Sequence, residues 1–122
     1  MKFAKIVFAI AGVWGIVVLF PLYFMRETLE RMYPPPVSHP DFYYGFISVA
    51  LAWQVAFLII AADPVRLRPM MVVAILEKFG YVATLLVLGA SGQLQIGQAA
   101  VGVPDLLLGV FFVAAWLKTR PA

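Results

Sequence analysis

Four long apolar stretches alternate with short polar or proline-bearing connections along the chain. The first runs from about Ile6 to Met25, the second from about Phe42 to Ala62 and the third from about Met70 to Ala90. Each is close to the ~20 residues that an α-helix needs to cross ~30 Å of hydrocarbon. The fourth is less regular: Asp105 to Leu117 is too short to cross at ~1.5 Å per residue, so the span is placed over residues 96–117, running through Pro104 with a kink there. The pattern predicts an all-α membrane protein, a compact four-transmembrane-helix bundle forming one domain over residues 1–122, with spans at 6–25, 42–62, 70–90 and 96–117. There is no internal repeat or low-complexity tract.

The connections sharpen this picture. After Met25, the segment RETLERM is expected to continue the first helix into the interface, and Pro34, Pro35 and Pro36 then force an extended turn. DPVRLRP, from Asp63 to Pro69, ends the second helix and restarts the third, since Pro64 and Pro69 suit first-turn positions. SGQLQIGQ carries no charge and reads as a tight polar turn. Lys2 and Lys5 before an apolar run, with the small residues Ala9 and Ala11, imitate a secretory signal. The run before Ala9 is too short for that, and it continues to Met25 as a full span.

Composition then excludes several classes. With 64% hydrophobic and 12% charged residues and a mean hydropathy of +0.97, a water-soluble fold of this length would expose far more apolar surface than water tolerates. Cysteine is absent, which removes disulfides, thiolate metal sites and redox dithiols. The net charge of +3 follows topology rather than a nucleic-acid footprint, because no dense basic run exists. Lys2, Lys5, Arg66, Arg68, Lys118 and Arg120 fall on one side and only Arg26 and Arg31 on the other, so the positive-inside rule puts both termini in the cytoplasm.

The third stretch carries two adjacent charges, Glu77 and Lys78, about a turn and a half to two turns inside its expected start. A charge near a helix centre costs about 2.5 to 3.5 kcal/mol on insertion scales, so it needs a partner, a water-filled pocket or a route to the interface. Counting from the cytoplasmic helix ends puts Gln54, Glu77 and Lys78 roughly 10 to 12 Å deep, Tyr81 somewhat deeper and Asp105 at about 20 Å. Glu77, Tyr81 and Thr84 share a helix face, whereas Lys78 is turned by about 100° from Glu77, so the two charges need not pair. The expected arrangement sends Glu77 inward, hydrogen-bonded to Gln54, Tyr81 or water, with Lys78 either facing Asp105 or extended to the headgroups. Ordinary structural roles exist beside these: Gln54 as an interhelical hydrogen bond worth ~0.6 kcal/mol, and Asp105 as a first-turn acid if its helix begins at Pro104.

Other chemistry is sparse. His39 lies near Asp41, Glu27 and Glu30, but one His without a second His or a Cys is a poor metal site; Ser38 or Asp41 is expected instead to cap the second span. No nucleophile elbow, phosphate-binding glycine loop or zinc spacing is present. Tyr23, Tyr33, Phe42, Tyr43, Tyr44 and Trp116 form interfacial belts. Trp14 and Trp53 are expected deep in their spans, where either can line a cavity beside Gln54.

On these residues the chain resembles the small four-helix bacterial membrane proteins of the DoxX-like and BphX-like kind, with a charged residue in the third span and an Asp-x-x-x-Gly pattern, Asp105 to Gly109, in the fourth. It is more distantly similar to the emopamil-binding-protein-like (EXPERA) bundle, which has cytoplasmic termini, a long outer first loop and a lipid-sized pocket. The first resemblance implies a multi-pass protein of the bacterial inner (cytoplasmic) membrane. The second implies that Trp53, Gln54 and Glu77 line a pocket; the chain departs from it in lacking a full acid pair on its first two helices, as sterol-isomerase chemistry requires.

The residues point to a non-catalytic protein: a subunit of a membrane assembly, or a binder of a small apolar ligand such as a lipid or quinone. The expected ligand-binding set is Trp53, Gln54, Glu77, Lys78, Tyr81 and Asp105, with no metal and no cofactor. The bilayer is the expected partner, with a larger complex or a homo-oligomer compatible with the sequence and nucleic acid excluded. Catalytic residues are not identifiable, since a catalytic site shows at least two groups with separable roles and only Glu77 stands out. The alternative is a small membrane enzyme or proton-coupled carrier with Glu77 as its protonatable group.

Overall fold

Prolines set where the helices begin and end. In the computed structural model, which describes residues 1–121, α1 spans Lys2–Leu19 and tightens into a 3-10 turn over Phe20–Phe24. Pro21 cannot donate to the carbonyl of Val17 and its ring crowds that group, so the α ladder gives way to the tighter turn. RETLERM therefore forms a separate helix, α2 (Arg26–Met32), rather than continuing α1. The turn is tied to the next span through its own carbonyl, because the Tyr43 hydroxyl donates to Leu22 O at 2.6 Å.

Helix α3 (Pro40–Ala62) opens on a proline in its first turn. Its N-cap is His39, with no side-chain capping bond, so neither Ser38 nor Asp41 takes the expected capping role; Asp41 sits in the first turn, where the helix dipole favours an acid. Asp63 ends α3 outside the helical region, at φ −151° and ψ 75°, since Pro64 disfavours helical backbone at the residue before it. Helix α4 (Arg68–Ala90) closes with Gly92 at φ +76°, the Gln93 N–H donating to Leu88 O at 2.9 Å and the Gly92 N–H to Gly89 O at 3.2 Å. That paired pattern needs a left-handed residue, which glycine adopts without strain. The short α5 (Ile96–Ala99) and α6 (Gly102–Lys118) complete the fourth span. At the expected kink near Pro104 the helix tightens into a turn at Ala100–Val101, both residues staying in the right-handed helical region, because the proline ring meets the carbonyl four residues earlier; Ile96–Lys118 still forms one 23-residue span.

Four segments of 23 residues each, Lys2–Phe24, Pro40–Ala62, Arg68–Ala90 and Ile96–Lys118, are long and apolar enough to cross a bilayer. Large apolar side chains such as Ile10, Val17, Ile59, Leu76, Leu86 and Val110 are exposed around the bundle, as suits a hydrocarbon surround. The chain is an all-helical, multi-pass membrane bundle. Its tightest pairs are α1 with α3 and α4 with α6; α1 also touches α6, whereas α3 and α4 meet only loosely. Gly15 permits the first close approach, since a Cβ there would overlap the Gln54 amide. The N-terminus, the 63–67 connection and Lys118–Pro121 gather at one end, here the terminal face. The core fills the half nearest that face, with Phe8 stacked on Phe112 at 4.3 Å, Phe57 edge-on to Phe112 at 5.0 Å, and Ala4, Ala11, Met71, Ala74 and Ala115 around them.

Candidate functional site

The other half of the bundle is hollow. A cavity of about 590 Å³ is bounded by α1, α3, α4 and α6, with Trp14, Val18, Leu22 and Leu85 among its walls. Volumes of roughly 300–1,000 Å³ with mostly apolar walls and a few converging polar groups are typical of ligand sites. Gln54, Glu77, Lys78 and Asp105 line it together, and because Lys78 lies over Phe57 of the aromatic core, this group forms the floor. Leu29, Glu30, Tyr33 and Val37, from α2 and the proline segment, form its roof. The roof is held by Glu30 Oε1, which accepts from Arg26 Nε at 2.9 Å and from Val37 N at 3.1 Å. The same carboxylate pushes the Arg26 guanidinium still further above its usual pKa.

Lys78 is the centre of the floor. It is 3% exposed, its ammonium donates to Asp105 Oδ1 at 3.2 Å, and Phe57 presents a ring face 5.2 Å away. Lys78 lies ten residues into α4, or ~15 Å from the terminal end, and Asp105 ~20 Å from the end of α6. The lysine stem covers the difference, so it turns inward to the acid rather than extending to the headgroups. Its ammonium also approaches Glu77 Oε2 at 3.5 Å. Adjacent positions on a helix diverge at Cβ, but a four-carbon stem has the freedom to bring the charges back together.

Glu77 lines the cavity and is hydrogen-bonded to neither Gln54 nor Tyr81, two of the three alternatives expected for it beside water. Its Oε2 is buried and has no hydrogen-bond partner among the described residues. The reason lies in its neighbours. Gln54 donates Nε2 to Ala50 O of its own helix at 2.8 Å, while its Oε1 lies against Gly15 with no N–H or O–H partner. The Tyr81 ring stacks on Phe46, with centroids 6.1 Å apart.

Trp53 is separated from this group. It packs against the core and lines a recess in the loose α3–α4 seam with Asp41, Gly45 and Val49, while Phe46, Ala50, Glu77 and Tyr81 border both recess and cavity. Trp14 takes the place in the cavity wall that Trp53 does not. The roof residues were missed by the sequence reading. Leu29 and Val37, apolar positions inside the longest polar connection, were the available signal. His39 is exposed, and no group of three or more His, Asp or Glu side chains among the described residues could hold a metal ion.

The charges around this space are one-sided. Glu30, Asp41, Glu77 and Asp105, four of the six acids in the chain, line the cavity or the adjoining recess, against Lys78 alone of nine Lys and Arg residues. Fold and cavity together define a multi-pass membrane bundle with an internal polar floor. Comparison with protein-family models, with curated proteins and with solved structures yields no match.

Proposed function

We propose that the protein is a non-catalytic membrane binder of a lipid-like amphiphile, held with its apolar body in the cavity and its polar head on the Glu77–Lys78–Asp105 floor. The observation that carries this reading is a mostly apolar cavity of about 590 Å³ ending on a partly buried charged cluster within the membrane-spanning bundle. The floor is rich in acceptors: two carboxylates face one ammonium, Gln54 Oε1 has no hydrogen-bond donor, and Glu77 Oε2 has only the Lys78 ammonium at 3.5 Å. A head bearing a hydroxyl or an amine satisfies such a surface, whereas quinone carbonyls only accept, so a lipid is favoured over a quinone. In this reading the terminal face is cytoplasmic, by the positive-inside rule, and the protein resides in a bacterial inner membrane, as the DoxX-like resemblance implies. The competing carrier reading draws on Glu77, whose unbonded Oε2 lies at the cavity floor.

Purification in a mild detergent followed by solvent extraction and lipid mass spectrometry tests the proposal. A lipid should copurify in stoichiometric amount, and Ala50→Phe, which fills space shared by the cavity and the recess, should lower its occupancy about tenfold, equivalent to ~1.4 kcal/mol of binding. Lipid content indistinguishable from detergent background, or unchanged by Ala50→Phe, would reject the reading. Proton uptake by reconstituted vesicles that is abolished by Glu77→Gln would favour the carrier.

A further inference from the structure

We propose that the terminal face carries a second site, formed by Arg68, Lys118 and Arg120, for the phosphate of an acidic phospholipid. These residues line a pocket of about 480 Å³ between the start of α4 and the end of α6, and no acidic side chain lines it. Among the described residues none of the three forms an ion pair; the salt bridges found are Arg26–Glu30 and the two made by Lys78. Two of them are nevertheless held in place. Arg68 donates Nε to Trp116 O at 3.0 Å and lies 4.4 Å over the Trp116 ring, and Lys118 lies 4.3 Å over the Phe3 ring. With Nε engaged, the guanidinium keeps its Nη edge for an anion, and a planar fork of this kind matches phosphate geometry.

Depth identifies the source of that phosphate. Trp116 is an amphipathic anchor at the end of an apolar span, the position where indole rings settle at headgroup level. The guanidinium stacked on it therefore lies in the phosphate layer of the leaflet. Val65 and Pro69 add apolar wall to the same pocket, a surface suited to the glycerol and upper acyl region rather than to a hydrated free ion. Basic pockets between transmembrane helices are a recognised means of holding acidic headgroups. This site is separate from the cavity, which lies beyond the aromatic core, and does not depend on the function proposed for it.

The full chain in nanodiscs of phosphatidylcholine with a minor fraction of phosphatidylglycerol provides the test, with native mass spectrometry counting the lipids retained. Wild type should retain phosphatidylglycerol in preference to phosphatidylcholine. Arg120→Gln, which removes an exposed side chain, should reduce that preference several-fold with the helical circular dichroism unchanged, and Arg68→Gln should reduce it further. Lys2→Gln with Lys5→Gln removes two exposed charges on the same side without touching the pocket and should leave the preference intact. An equal loss in the Lys2/Lys5 variant would show diffuse attraction to an anionic surface and overturn the site. Displacement of the lipid by millimolar inorganic phosphate would overturn the assignment to a phospholipid in favour of free phosphate.

Discussion

Replacing Asp105 with alanine should destabilise the bundle through the charge it abandons. Lys78 is 3% exposed and makes its hydrogen bond to Asp105, with Glu77 as a second, unbonded carboxylate at 3.5 Å. Removing one partner of a buried pair typically costs about 3–5 kcal/mol, because the remaining charge stays desolvated. Here Glu77 remains and the Asp105 side chain is 21% exposed, which places the expected loss at about 2–3 kcal/mol, below that range. Asp105→Asn, which keeps an acceptor, should lose about half as much.

Equilibrium unfolding in mixed micelles, followed by circular dichroism, measures these losses. A neutral triple variant, Glu77→Gln with Lys78→Met and Asp105→Leu, is the decisive comparison: replacing a whole buried ionic cluster by packed neutral groups is often nearly neutral, so it should lie within about 1 kcal/mol of wild type. Asp105→Ala within about 0.5 kcal/mol of wild type would show that the ammonium is not desolvated as the geometry implies. A triple variant as unstable as Asp105→Ala would assign the loss to shape rather than charge.

Three further outcomes follow from separate features. Gly15→Ala should destabilise by about 1–3 kcal/mol by driving a methyl into the Gln54 amide, and Gln54→Ala in the same chain should recover part of the loss; two additive losses would refute that contact. Glu30→Ala should release the roof, seen as faster hydrogen exchange at Val37 N–H, which donates to that carboxylate at 3.1 Å; unchanged exchange would mean the strap is held otherwise. A reporter inserted near Pro35 should be extracytoplasmic and one after Lys118 cytoplasmic, and either result reversed would overturn the orientation.

The architecture was legible because the bilayer imposes it. Four apolar runs near the length of a membrane span could be counted without knowing any contact. The meeting of Lys78 with Asp105 was also within reach, since depth along two helices can be estimated from rise per residue. What could not be read was how polar groups at one depth share their bonds. Gln54 turned its donor to Ala50 of its own helix, a local bond that competes with any partner across the bundle. Glu77 consequently shares a cavity with Gln54 and Tyr81 without a hydrogen bond to either. Trp53 lines the recess that Glu77 and Tyr81 also border rather than the larger cavity: depth gives no azimuth, and its face of α3 turns toward the α4 seam.

Two prolines inside the apolar spans border the hollow half of the molecule. Pro21 ends regular α-helix in the first span and Pro104 tightens the fourth into a turn, and both disturbances lie away from the terminal face. A proline inside a helix forfeits a ladder bond and about 3 kcal/mol, so two of them weaken this half where helix-to-helix packing is already sparse. In the other half the chain has close-packed phenylalanine and alanine and, among the described residues, no proline inside a helix beyond its first turn. Pro104 lines the cavity itself, and Asp105, set next to it in the first turn of α6, meets Lys78 there. The turn that interrupts the span is thus followed by a first helical turn that carries the acid paired with the buried lysine. The Pro21 turn leads into α2, from which the roof is built. The cavity therefore lies where proline disturbs two of the spans, and the close-packed aromatic core lies in the half where they run on undisturbed.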